Sequence, residues 1–165
     1  MNENDKVEIE GTFAGYLALT ELGWGSVLHA WHFPFTGTLL SCNQIFLLAK
    51  ASMSTGEKRG FSSTRISIIA ALYKGLTPIG KRVTPMVAIA MQGILFNFGE
   101  CLLGKNRLGR SLGAAMASLW GILQPLLLYY MILGEAFFKA AAALVREVNN
   151  WLGWEENRIL LLLFF

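Results

Sequence analysis

Glu21, Asn43, Gln44, Gln92 and Gln124 stand inside runs of apolar residues, where each needs a partner for its polar atoms. Asn43 and Gln44 pose the question most sharply, side by side in the stretch HAWHFPFTGTLLSCNQIFLLAK from His29 to Lys50. Such side chains either hydrogen-bond helices to one another or line a site for a polar ligand. Other chemistry is thinner. His29 and His32, three apart, would need a third metal ligand, and no carboxylate or thiol lies nearby in sequence, so they are read as interfacial histidines. Cys42 and Cys101 lie in apolar runs and are read as buried free thiols, not as a disulfide or redox pair. No Ser/His/Asp order, phosphate-binding loop, dinucleotide fingerprint or HExxH occurs, and nothing supplies an activated nucleophile. The expectation is a binding protein and not an enzyme, with no metal and no cofactor.

The elements that must position these residues follow from composition. The 165 residues are 54% hydrophobic and only 15% charged, against about 25% charged in soluble domains. A span needs about 20 mostly apolar residues, and this length holds five or six with short loops. The sequence predicts a single all-α domain, a polytopic membrane protein. Residues 1–10 are a polar, acidic cytoplasmic tail without the basic start of a cleaved signal. Residues 11–134 carry five spans: Gly11 to Leu28, Pro34 to Ala49, Phe61 to Leu76 (short and weak), Val83 to Leu103, and Leu108 to Leu133. Residues 135–157, beginning EAFFKAAAALVREVNNW, read as an amphipathic interfacial helix. Residues 158–165 read as the start of a truncated sixth helix.

Orientation comes from the basic residues. Lys50, Lys58, Arg59 and Arg65 flank one loop and Lys105, Arg107 and Arg110 another, whereas the turn from His29 to Phe35 has no Lys or Arg. Both basic loops are expected in the cytoplasm, with the N-terminus inside; Lys81 and Arg82 in an outer loop are a mild departure from the rule. The basic residues are too dispersed, in too apolar a chain, for a nucleic-acid partner. Counted from the outer end of each span, Glu21, Asn43, Gln44, Gln92 and Gln124 lie about eight to ten residues deep, roughly 12–15 Å. They share one level, near the middle of a hydrocarbon core about 30 Å thick. That convergence predicts a polar pocket reached from outside and roofed by Trp31, Phe33 and Phe35. Lys74, near the outer end of its helix, would meet a ligand carboxylate or snorkel to the headgroups. Gly11, Ala14, Gly15 and Ala18 on the first helix, and Gly113, Ala117 and Gly121 on the fifth, form small-residue surfaces for helix packing or docking.

Several of these stretches together resemble a known family. Ala14 and Ala18 form an AxxxA motif on the first helix, the first outer loop leads into PFTGTLLSCNQ, and KGLTPIGKRVTPMVAIAMQGILFNFG is followed by SLGAAMASLWGILQP. From Gly11 to Gly134 the chain resembles the substrate-binding S component of an energy-coupling factor vitamin transporter. The resemblance implies that Ala14 and Ala18 dock on a transmembrane coupling subunit and that two ATPase subunits drive uptake. It implies a small vitamin or vitamin precursor bound near the outer face, with Trp31, Asn43, Gln44, Lys74, Gln92 and Gln124 as candidate contacts. The expected place is the cell membrane, multi-pass. A stand-alone carrier or channel, or a structural membrane subunit, would use the same midplane polar groups and remains open.

Overall fold

The computed structural model describes residues 2–31, 36–56, 60–76 and 83–152. The elements are α1 (Glu3–Leu22), α2 (Trp24–Ala30), α3 (Thr36–Ser54), α4 (Ser62–Gly75), α5 (Val83–Leu103), α6 (Arg107–Leu133) and α7 (Glu135–Leu152). No strand occurs among the described residues, so the all-α expectation holds. The chain divides into two compact units, Met1–Leu123 and Gln124–Phe165. The division falls beside Pro125 inside α6, where the ring removes a helical N–H and crowds the preceding turn.

Two boundaries at the first helix differ from the sequence reading. The acidic tail is helical from Glu3, because Asn2 caps it: the Asn2 side chain accepts from the Glu3 N–H at 2.7 Å, and the Asp5 carboxylate accepts from the Asn2 N–H at 3.1 Å. Glu3 and Asp5 in that first turn also complement the helix dipole. The expected single span to Leu28 is broken at Gly23, whose N–H closes onto the Leu19 carbonyl at 2.8 Å before α2 begins. α5 occupies the expected Val83–Leu103, α3 runs past the expected Ala49 to Ser54, and residues 153–165, with the expected start of a sixth helix, lie outside the described residues. The α5–α6 turn needs Gly104 at φ +80°, and Gly134 at φ +55° separates α6 from α7. Asn106 then caps α6 by accepting from the Gly109 N–H at 2.8 Å.

Side-chain pairings give the topology of the first unit. Glu10 meets Arg65 and Glu21 meets Lys74, so α1 and α4 run parallel. Gly93 lies against Ser67 and Glu100 against Ser63, so α4 and α5 are antiparallel. Gly99 and Phe96 lie against Gly113 while Glu100 approaches Gly109, so α5 and α6 are antiparallel as well. Ser41 and Gln44 of α3 meet Ile89 and Gln92 of α5, and Ser52 meets Glu100, so these two helices run parallel. This is an up-and-down bundle. Its basic turns share an end, since Lys105 Nζ donates to Ser62 Oγ at 3.3 Å.

The bundle is polar inside and apolar outside. Among the described residues thirteen buried side chains are polar or charged and eleven are apolar, six of those eleven being alanine. Small residues let the backbones approach; Leu17, Leu48, Ile66, Ile89 and Phe96 fill the core between them, and most other large apolar side chains point outward. Leu39, Phe46 and Met53 make an exposed stripe on α3, as do Ile68, Ile69, Leu72 and Tyr73 on α4 and Ile94, Phe98 and Leu102 on α5. Cys42 and Cys101, expected to be buried, are free thiols on this outer surface, because the positions facing inward are taken by polar and small residues. Two helices, α5 and α6, are long and apolar enough to cross a membrane.

Candidate functional site

The middle of the first unit is a layer of amides and hydroxyls. Gln44 is 1% exposed and joins three helices: its Nε2 donates to the Ile89 carbonyl of α5 at 2.7 Å and to Ser67 Oγ of α4 at 3.3 Å. Gln92 Nε2 on α5 donates to Ser41 Oγ on α3. These bonds cross, since Gln44 follows Ser41 by one turn on α3 and Gln92 follows Ile89 by one turn on α5. Glycine makes room for them. A Cβ at Gly93 would strike Ser67, and one at Gly121 of α6 would lie 3.4 Å from the Gln92 amide.

Asn43, adjacent to Gln44, faces another neighbour, because successive residues of a helix project about 100° apart. Its Nδ2 donates to Thr20 Oγ1 of α1 at 3.0 Å, and Thr20 Oγ1 donates to backbone carbonyls of its own helix. Beside Thr20, Glu21 is buried, and a Cβ at Gly25 would lie 3.6 Å from its Oε2. Lys74 is buried too, and its Nζ donates to the Glu21 backbone carbonyl at 3.0 Å, one of the carbonyls that the end of α1 leaves unpaired. Lys74 thus points into the bundle and ties α4 to the break between α1 and α2. Glu21, Lys74, Asn43, Gln44 and Gln92 take part in bonds that join α1, α3, α4 and α5. Together they carry hydrogen-bond donors and acceptors inside the first unit.

The remaining candidates are placed differently. Trp31 is 77% exposed. Phe33 and Phe35 of the expected roof, His32, and the His29 side chain lie outside what is described. Gln124 belongs to the second unit. Ala14 and Ala18, expected to face a partner protein, are 1% and 5% exposed within the first unit, and Ala14 belongs to its core cluster with Leu17, Leu48 and Ala70. The small residues of α1 with open space at their Cβ positions are Gly11 and Gly15. Gly113 and Ala117 are likewise buried, Gly113 against the Phe96 backbone.

Reasoning from hydropathy missed the hydroxyls that partner the amides: Thr20, Ser41 and Ser67. A serine or threonine inside an apolar run carries little hydropathy signal, and its helix neighbour decides its role. It also missed Glu100, near the C-terminal end of α5, which is 1% exposed. No group of three or more His, Cys, Asp or Glu side chains placed to hold a metal occurs among the described residues.

The fold and this layer define a class: an all-α bundle with an apolar exterior and polar side chains buried between its helices. No protein-family model matches the sequence, and no curated protein or solved structure matches it.

Proposed function

We propose that the chain is a polytopic protein of the cell membrane, its N-terminus in the cytoplasm, that binds a small polar solute between α1, α3, α4 and α5. The single observation behind this reading is the inversion of polarity. Glu21, Lys74, Gln44, Gln92 and Glu100 are buried while Phe46, Met53, Leu72 and Phe98 are exposed. In water such a surface would be a large adhesive patch over a core that loses hydration for little apolar gain. In lipid the same distribution is expected, because polar side chains within a span face the bundle interior. The alternating helices and the shared basic end, set by Lys105 beside Ser62, support cytoplasmic placement of the loops after α3 and between α5 and α6. α4, with 14 residues, is about 21 Å long by helical rise. It spans the hydrocarbon with help from local thinning or its flanking residues.

Topology is testable by labelling. With Cys42 and Cys101 replaced by serine, a cysteine at exposed Ser54 reacts with a membrane-impermeant maleimide only after the cells are opened, and one at exposed Trp31 reacts in intact cells. The opposite pattern would invert the orientation; equal reaction at both sites in intact cells would remove the membrane reading.

The solute reading draws on the same burial of Lys74, Glu21 and Gln92, and the role proposed is that of a substrate-binding subunit in vitamin uptake, with a coupling subunit and ATPases supplying the energy. Trp31 remains a candidate contact within this proposal. Native mass spectrometry of the purified protein should reveal a bound small molecule. Gln92→Ala and Lys74→Ala should each weaken its retention about tenfold or more, each buried hydrogen bond lost from the complex costing about 1–3 kcal/mol. A second reading, a structural membrane subunit, is favoured by the bonds Gln44 and Asn43 already make to neighbouring helices. It predicts that these variants lose thermal stability and that no small molecule accompanies the wild type.

A further inference from the structure

Glu100 is the one carboxylate among the described residues that combines 1% exposure with bonds only to neutral groups. Ser52 Oγ of α3 donates to its Oε1, and Ser63 Oγ of α4 donates to its Oε2 at 3.2 Å. Lys105 Nζ donates to Ser62 Oγ, next to Ser63 on α4. Three residues earlier on α5, Asn97 is 2% exposed, and its Oδ1 accepts no hydrogen bond although its Nδ2 donates to Cys101 Sγ at 3.4 Å. Residues three apart on a helix are surface neighbours, so Asn97 and Glu100 share one face of α5. A lone negative charge in so dry a place is costly unless a cation compensates it.

We propose that Glu100 holds an alkali cation, Na⁺ or K⁺, at the inner end of the bundle, with Ser52 Oγ, Ser63 Oγ and Asn97 Oδ1 as further oxygen ligands. The ligand chemistry selects the ion. The donors are all hard oxygens, which suits alkali and alkaline-earth ions over zinc or copper. The single carboxylate balances one positive charge; a divalent ion would leave an unpaired charge in the same low-dielectric interior. Each hydroxyl that now donates to Glu100 can turn its hydrogen away and offer a lone pair to the ion. The site joins α3, α4 and α5, the helices that also carry the amide layer, which lies eight residues away along α3 and α5, about 12 Å. A cation here therefore stiffens the frame beneath the proposed solute site without touching it. The cation assignment does not depend on the solute reading.

The test is cation-dependent stability of the full chain, purified in detergent at fixed pH and ionic strength. Thermal midpoints are compared in NaCl, KCl, choline chloride and MgCl₂. At about a hundred times the dissociation constant, Na⁺ or K⁺ should raise the midpoint over choline by roughly 5–10 °C and saturate. The preferred ion identifies which alkali cation the site takes. In Glu100→Gln the alkali dependence should vanish while the midpoint in choline equals or exceeds that of the wild type, because the uncompensated charge has been removed. Lys105→Gln should retain the alkali response. If Glu100→Gln does not fold, Ser63→Ala should shift the response to at least tenfold higher salt. Equal midpoints in choline, Na⁺ and K⁺ would overturn the proposal. So would a response to Mg²⁺ alone, or an alkali response that survives in Glu100→Gln.

Discussion

Gly113→Leu is expected to leave no folded protein. α5 and α6 are two long apolar helices, and they meet through backbone: a Cβ at Gly113 would run into the Phe96 main chain, and one at Gly99 into the Gly113 main chain. No flexible side chain can yield there, so the helices themselves must part. Even Gly113→Ala should cost about 3 kcal/mol, the upper range for overpacking, and leucine more. Parting them would also disturb Gln92 and Ser41, since Gly121 of α6 passes both. The measurement is the monodisperse fraction in size-exclusion chromatography and the thermal midpoint, with Gly11→Leu as control. Gly11 has open space at its Cβ, so that change should be nearly silent in the isolated chain. A folded, wild-type-like Gly113→Leu would mean that α5 and α6 do not pack through these glycines.

Ala14→Trp should also prevent folding, and this bears on how the chain would meet a partner. The resemblance to vitamin-transporter S components assigns Ala14 and Ala18 to a coupling surface, where bulk would detach a partner and spare ligand binding. In the structure both side chains are buried, Ala14 in the core cluster with Leu17, Leu48 and Ala70, and an indole at Ala14 must displace α3 or α4. The expected result is loss of the folded monomer in detergent, with no partner present. The discriminating variant is Gly15→Leu, which has open space. If a coupling subunit docks on α1, Gly15→Leu should fold normally, keep its bound solute and lose co-purification of the partner, because docking in lipid depends on close van der Waals contact. A well-folded Ala14→Trp that loses only the partner would return the coupling face to the alanines.

Composition and periodicity by themselves determined the helical class, the place of most helices and the polar residues that must face inward. Those properties are local: an apolar run long enough for helix, ended by Gly104 or Gly134, reads the same in any context. The depth count, too, placed Gln44 and Gln92 together, since distance along a helix is fixed by its rise. Rotation about each helix axis was decided only by tertiary packing. Asn43 and Gln44 are adjacent in sequence yet serve different helices, Thr20 of α1 for one and Ser67 of α4 with Ile89 of α5 for the other. AxxxA and GxxxG interleave on α1, and only the position of α3 and α4 buries Ala14 and Ala18 while leaving Gly11 and Gly15 open. The side of α1 that packs on α4 was likewise set by partners distant in sequence, Lys74 on the Glu21 carbonyl and Arg65 on Glu10 at 2.9 Å. Glu100 shows the same limit: near the end of an apolar run it reads as a residue able to reach solvent, and it is buried because Ser52 and Ser63 arrive from two other helices to receive it.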